Sequence, residues 1–251
     1  IKRGRVGTGG SHSQPSEPLI GPEGLIRNIL YGKVYHRDML GDDPVIYMGW
    51  DIFGHSIQLG QILRKAGFKG AIWSKDIRGA EPVFWHLSLD GEALLFRRTN
   101  YGILKSGIED ELLGHLMAHS HELASLGFTS DLRLDALDFK PPTAWMIGRC
   151  GELKARNPRI IVSGTGHEQW FRKTLTEIEE KKLPVPVTAR DFEWHHQGTG
   201  LTRIDFKIAN RFGENTLINA EKFATLASYL GAAYPDKALD KAWRQLLLNQ
   251  H

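Results

Sequence analysis

The sequence predicts an α+β protein built from two tandem ferredoxin-like (βαββαβ) units with antiparallel sheets. Strand-like and helix-like segments follow one another in the order β-α-β-β-α-β over residues 25–140. Residues 159–251 partly repeat this order as β-α-β-β-α-α, and the triplet Arg-Leu-Asp at 133–135 recurs as Arg-Ile-Asp at 203–205. A compact domain of this order usually packs its helices on one face of an antiparallel sheet. The other face would then be free to bind a ligand.

The elements of the first unit follow from apolar spacing. Four segments have the apolar runs or alternation typical of strands, namely 44–50, 70–76, 83–98 and 131–139. Two intervening segments, 55–66 and 109–126, have the spacing of amphipathic helices. Segment 83–98 contains Asp90-Gly91, a dipeptide that favours a hairpin turn.

The second unit is read in the same way. Three segments are typical of strands: 159–164, 185–196 and 201–210. Thr165 and Glu168 fit a capping box at the start of a helix that runs to about residue 182, and two further helices close the chain. Residues 1–24 are rich in Gly, Ser and Pro and predict a flexible tail, and residues 141–158 predict a basic connector between the units.

Composition excludes several classes of protein. The chain has 251 residues, 41% hydrophobic and 24% charged, which is ordinary for a globular protein with a sizeable core. No apolar run reaches the roughly 18 residues of a membrane span, so no membrane partner is expected. The single cysteine, Cys150, excludes an intrachain disulfide and is compatible with a cytoplasmic protein. No P-loop motif is present.

Carboxylates and histidines suggest a metal site. If the two Arg-x-Asp strands lie close together, Asp135 and Asp205 could share a hard divalent cation such as Mg²⁺ or Mn²⁺. His195 and His196 follow a predicted strand beside a glycine loop, where an imidazole could bind metal or act as a general base. We therefore take these four residues as candidate catalytic residues, and Asp135, Asp205 and His196 as the metal ligands. The alternative is that each Arg only pairs with a nearby Asp on an exposed face.

Basic and aromatic residues suggest a nucleic-acid surface. The formal net charge is +3, and aromatic side chains are interleaved with basic ones on the predicted sheet. On an open sheet, aromatic rings stack on bases while Arg and Lys contact phosphates. The candidate nucleic-acid contacts are Arg97, Arg98, Arg133, Lys140, Arg203, Lys207, Trp85 and Tyr101.

The same features resemble those of the rolling-circle replication initiators of phages and plasmids. The run at 85–98 resembles a strand of that family, and the Arg-hydrophobic-Asp strands at 133–135 and 203–205 resemble two others. The resemblance implies a metal-dependent endonuclease or nickase acting on DNA, with Asp135 and Asp205 at the metal site. It also implies a nucleophilic tyrosine between the two strands, but residues 136–202 contain no Tyr.

Three alternatives stay open. The layout also resembles that of RNA-binding and RNA-processing proteins of CRISPR systems. The free sheet face could instead bind a protein partner in a non-catalytic scaffold. The third alternative is a small-molecule α/β enzyme built around residues 45–54 and the Ser163–Gly166 loop, which would require a parallel sheet with a pocket at those loops.

Overall fold

Helices cover a mixed β-sheet in the computed structural model, which describes residues 6–74, 80–99, 112–134, 145–156, 166–192 and 197–251. The strands in these ranges are β1 (Ile46–Gly49), β2 (Gly70–Trp73), β3 (Val83–Leu87), β4 (Ala93–Arg98) and β5 (Val187–Thr188). The helices are α1 (Pro22–Tyr35), α2 (Leu59–Lys65), α3 (Leu112–Ser125), α4 (Met146–Arg156), α5 (His167–Lys181), α6 (Ile204–Tyr229) and α7 (Asp236–Asn249).

The sheet has the strand order β1-β2-β4-β3-β5. Strand β1 is parallel to β2, and β2 is parallel to β4. Strand β3 forms the expected hairpin with β4 and is parallel to the short β5. The prediction of tandem antiparallel ferredoxin-like units is therefore wrong. Helix α2 carries the chain from the end of β1 back to the start of β2, and such a crossover produces a parallel pair.

Both faces of the sheet are buried. Alternate residues of one strand point to opposite faces, so Tyr47 packs in one hydrophobic cluster and its neighbour Ile46 in the other. Helices α1 and α2 cover the first face, with Leu25 and Leu59 in the core. Residues of α3 and α5 cover the second face. A parallel sheet usually has both faces covered, and no open face is left here for stacking bases.

The described part of the segment predicted as a tail, residues 6–24, packs against the rest of the protein. The backbone N–H of Met48 in β1 donates to the carbonyl of Gly9 at 3.4 Å. Gly10 has a positive φ of 79°, and a Cβ there would lie 2.6 Å from the ring of Phe68. Only glycine accommodates both constraints. The segment predicted as a basic connector, residues 141–158, contains helix α4 in its described part.

Residues 201–210 are helical, although alternation predicted a strand. Helix α6 begins at Ile204 and continues for 26 residues. The alternating apolar residues Ile204, Phe206 and Ile208 are all more than half exposed, so their spacing does not mark a buried strand face. Within the described ranges, no helix is both long enough and apolar enough to cross a membrane.

Helices α6 and α7 are joined to α1 by buried polar contacts. Glu214 of α6 is 2% exposed and accepts the N–H groups of Gly21 at 3.0 Å and Gly24 at 2.9 Å. These are donors that the first turn of α1 cannot satisfy within the helix. Glu221 accepts from Arg27 of α1 and from the indole N–H of Trp243 in α7. The C-terminal helices therefore hold the N-terminus of α1.

We expect Glu214→Ala to lower the free energy of unfolding by about 2 kcal/mol, because it leaves two buried N–H donors without an acceptor. Urea denaturation measures this change. Asp205→Ala on the same helix is the control, since its ion pair with Arg203 is exposed on both sides and its loss should change stability much less. Equal effects of the two substitutions would contradict the capping role.

Candidate functional site

Asp51 lies at the carboxyl edge of the parallel strands. It follows β1 by two residues and has a φ of 60°, in the left-handed region that residues other than glycine seldom occupy. Its N–H donates to the hydroxyl of Ser74, the residue directly after β2, at 3.2 Å. Ligands of open α/β sheets bind outside the carboxyl ends of the strands, and strained backbone is concentrated at functional sites. Asp51 is therefore the leading candidate for a reactive carboxylate.

A buried contact between a carboxylate and an imidazole lies behind this edge. The Nδ1 atom of His55 is 3.0 Å from Oε1 of Glu17, and both side chains are fully buried. The other oxygen of Glu17 accepts the N–H of Ser56 at 2.9 Å. Because the carboxylate can only accept, the proton of the His55 contact is on Nδ1. Glu17 belongs to the segment that the sequence predicted as a tail.

Trp73, the last residue of β2, packs against His55. The two rings stack with centroids 3.9 Å apart and planes 3° from parallel. The glycine at position 49 makes this possible, since a Cβ there would lie 3.3 Å from both rings. His55 also pairs with Phe192 through two backbone hydrogen bonds of 2.7 and 2.8 Å. The segment after β1 is thus tied to three other parts of the chain.

A second buried histidine lies close to this cluster. The Nε2 atom of His86 is 3.2 Å from the carbonyl of Arg190, while Nδ1 is buried without a partner. Burial lowers the pKa of His86 below the ordinary value of 6.5, against a smaller raising effect of the Arg190 contact. His86 is thus held in its neutral form by the fold.

Of the predicted catalytic and metal-binding residues, the structure describes only Asp205. Asp135, His195 and His196 lie outside the described residues, so their predicted roles stay predictions. Asp205 lies in the first turn of α6 and not on a strand, and its carboxylate pairs with Arg203 at 2.9 Å. Among the described residues, no three His, Cys, Asp or Glu side chains form a cluster that could hold a metal ion.

The predicted phosphate contacts are used inside the protein. Arg97 is 1% exposed and pairs with Asp131 at 2.6 Å, and Arg133 pairs with the same carboxylate at 2.5 Å. Burial lowers the pKa of Arg97 to about 10, and the charge of Asp131 opposes that shift. Arg98 pairs with Glu122 at 3.5 Å. Arg97 therefore holds β4 to the segment after α3, and Arg98 holds β4 to α3 itself.

Three of the remaining predicted contacts are described, and each of them contacts other parts of the protein. Trp85 is partly buried against the second core cluster. Arg203 is held by Asp205, and the ammonium group of Lys207 donates to the carbonyl of Thr202. Lys140 and Tyr101 lie outside the described residues. Arg203 pairs with Asp205 on an exposed face, as the alternative expected, whereas the pair of Arg133 with Asp131 is mostly buried.

From the sequence, Asp51 was included only in the segment 45–54 of the small-molecule enzyme alternative, and no role was predicted for it. The available signal was an Asp directly after a buried apolar run and before Gly54. In a parallel sheet this position lies at the carboxyl edge, where ligands bind. Because the sheet was predicted to be antiparallel, the position was not recognised as a candidate site. Glu17 carried no signal, because its partner His55 is 38 residues away.

Comparison with known proteins shows that both ends of the chain are similar to glycosidase domains. Residues 1–105 match the N-terminal domain of glycosyl hydrolases family 38, and residues 195–251 match the alpha-mannosidase middle domain. Alpha-mannosidase 2C1 of Mus musculus is 28% identical over 98% of this chain, and alpha-mannosidase G of Dictyostelium discoideum is 25% identical over 98%. The chain spans about a quarter of the length of these relatives.

Solved structures show the same fold. An alpha-mannosidase from Enterococcus faecalis superposes with a TM-score of 0.74 at 17% identity, over 99% of this chain and 30% of that one. A glycosyl hydrolase family 38 protein from the same organism gives a TM-score of 0.68 at 17% identity, over 99% of this chain and 27% of that one. The mixed sheet with its parallel strands is therefore the fold of part of these enzymes.

These matches overturn the nucleic-acid interpretation. They show no relation to rolling-circle replication initiators, and they support neither DNA or RNA as partner nor the scaffold and CRISPR alternatives. The family 38 alpha-mannosidases that the chain resembles depend on a metal ion, typically zinc, so a metal stays a proposal for this chain. Nothing supports Mg²⁺ or Mn²⁺ in particular.

The neutral state of His86 predicts a pH dependence of stability. Its pKa in the folded protein is lower than in the unfolded chain, so the unfolded chain binds the proton first as the pH falls. The unfolding free energy should therefore decrease as the pH falls through 6.5, by at most about 1.4 kcal/mol per pH unit for one group. Urea unfolding between pH 7.5 and 5 should give a flatter profile for His86→Gln. Parallel profiles would contradict the prediction.

Proposed function

We propose that this chain carries part of the catalytic region of an α-mannosidase of glycosyl hydrolase family 38. The observation that carries the proposal is the position of Asp51. It lies within the segment similar to the family's N-terminal domain, at the carboxyl edge of two parallel strands, with a left-handed backbone. The parallel sheet that the small-molecule enzyme alternative required supports the same conclusion. The expected substrate is an α-linked mannoside.

Glycoside hydrolysis gives Asp51 a definite task. The reaction passes through a transition state in which the sugar ring carries positive charge, and glycosidases place carboxylates on either side of the bond that breaks. Asp51 is exposed at the sheet edge, where a sugar could approach it. We assign Asp51 to the carboxylate that faces the sugar carbon where the positive charge develops.

Asp51→Asn tests this assignment, because Asn keeps the size of the side chain, tolerates a left-handed backbone and removes the negative charge. We expect kcat on 4-nitrophenyl α-mannoside to fall by about 10²- to 10⁴-fold in the full-length protein, with little change in melting temperature. Asp205→Asn is the control and should keep its activity, because that carboxylate pairs with Arg203 on the surface. An active Asp51→Asn enzyme would refute the assignment.

The metal of this proposal is zinc, in place of the Mg²⁺ or Mn²⁺ predicted from the carboxylates. The described residues alone do not form its site. The predicted histidines 195 and 196 support the choice of metal, since imidazole is a favoured zinc ligand. They also stand at the start of the segment similar to the middle domain. The described residues do not contribute to any catalytic role of the ion in this proposal.

Elemental analysis of purified protein tests the metal proposal. We expect zinc in the native protein, a loss of zinc in His196→Ala, and full zinc content in Asp205→Ala, because Asp205 is already paired with Arg203. Loss of zinc from Asp205→Ala with retention in His196→Ala would reverse the assignment. A native protein that binds Mn²⁺ and not zinc would refute the choice of metal.

A further inference from the structure

The segment from Trp50 to Gln58, here called the Asp51 loop, is held at several points by distant parts of the chain. It connects β1 to α2 and contains two positive φ angles, 60° at Asp51 and 148° at Gly54. At its start, the N–H of Trp50 donates to the side chain of Gln14 at 2.7 Å. Near its end, the N–H of Ile57 donates to Asp191 at 2.6 Å. Distant residues therefore anchor the loop near both of its ends.

Glu17 makes the most buried of these contacts. Its two carboxylate oxygens bind two consecutive residues of the loop, His55 through the ring and Ser56 through the backbone N–H. Because Glu17 is buried, each oxygen needs a donor from the protein, and a shift of the loop would leave the charge uncompensated. The contact therefore favours one position of the loop strongly over others.

His55 transmits this constraint to the end of β2. One edge of its ring is fixed by Glu17, and one face lies flat on Trp73. Trp73 is followed by Ser74, whose hydroxyl accepts the N–H of Asp51. The chain of contacts from Glu17 through His55 and Trp73 thus ends at the backbone of Asp51.

We infer that Glu17 and His55 are positioning residues for the Asp51 carboxylate. The inference rests on the proposed glycosidase function. Both side chains are fully buried, so neither touches a substrate, and they act only through the loop. A displacement of about 1 Å in a reacting group can lower a rate about 10²-fold while substrate binding is retained. Loss of the Glu17–His55 contact should therefore lower kcat far more than it raises KM.

Three substitutions separate the parts of the network. Glu17→Gln keeps the size of the side chain and removes its charge. His55→Asn retains an N–H donor near the position of Nδ1 but loses the stacked ring, and His55→Phe retains a ring on Trp73 but loses the donor. Glu177→Gln is the matched control, because Glu177 is also a buried carboxylate that accepts a backbone N–H, that of Thr129, away from the Asp51 loop.

Two measurements on the full-length protein decide the inference. In the first, steady-state kinetics on 4-nitrophenyl α-mannoside, Glu17→Gln and His55→Phe should lower kcat about 10- to 100-fold, with KM within about threefold of its original value. His55→Asn should lose less than His55→Phe. Glu177→Gln should keep kcat and KM even where its melting temperature falls as far as that of Glu17→Gln.

The second measurement is hydrogen exchange of residues 50–57 by mass spectrometry, which does not depend on activity. Glu17→Gln should exchange this segment at least about tenfold faster, whereas Glu177→Gln should leave it unchanged. Unchanged exchange in Glu17→Gln overturns the inference, and so does faster exchange with an unchanged kcat. If the native protein does not hydrolyse α-mannosides, the proposed function fails, and exchange alone decides whether Glu17 and His55 hold the loop.

Discussion

The parallel pairing of β1, β2 and β4 is the constraint on which the rest of the structure depends. The crossover helix α2 covers one face of the sheet, and α3 and α5 cover the other. Both faces are therefore buried, and successive strand residues alternate between two cores. With both faces covered, the edge at the carboxyl ends of the strands becomes the place for chemistry. Asp51 and Ser74 meet there because they follow neighbouring parallel strands. In an antiparallel sheet the same two residues would lie at opposite edges.

Local elements were largely predictable from the sequence, whereas their pairing was not. The runs at 44–50, 70–76 and 83–98 contain β1, β2 and the β3–β4 hairpin, because buried strands need continuous apolar side chains. The helical spacings at 55–66 and 109–126 likewise contain α2 and α3. The order of elements is nevertheless compatible with both a parallel and an antiparallel sheet. The strand predicted at residues 201–210 was wrong at the local level as well, since the apolar residues there are exposed on α6.

The prediction of a nucleic-acid surface was wrong because it assumed that the basic side chains had no partners within the protein. Arg97, Arg98 and Arg133 resemble a phosphate-binding set only while their partners are unknown. Asp131 and Glu122 lie 34 and 24 residues from the arginines of β4 that they bind, so no local pattern reveals the pairs. A buried arginine is retained because its carboxylate partner compensates its charge, and substitution of either residue would leave the other unpaired. These three arginines therefore stabilise the fold and do not indicate a ligand.

The N-terminal segment shows how little composition says about order. Its glycines, serines and prolines predicted a chain without a core, yet Gln14 and Glu17 provide side chains that hold the Asp51 loop. A segment with few apolar residues can be ordered when its polar groups satisfy buried donors elsewhere, and Glu17 satisfies two. Glycines assist because the segment must approach β1 and the core closely, as Gly10 approaches Phe68. A strained loop at a sheet edge needs such external contacts, since a left-handed Asp is not stable by itself. The segment that looks least structured in the sequence thus supplies the side chains that contact the loop of the proposed active site.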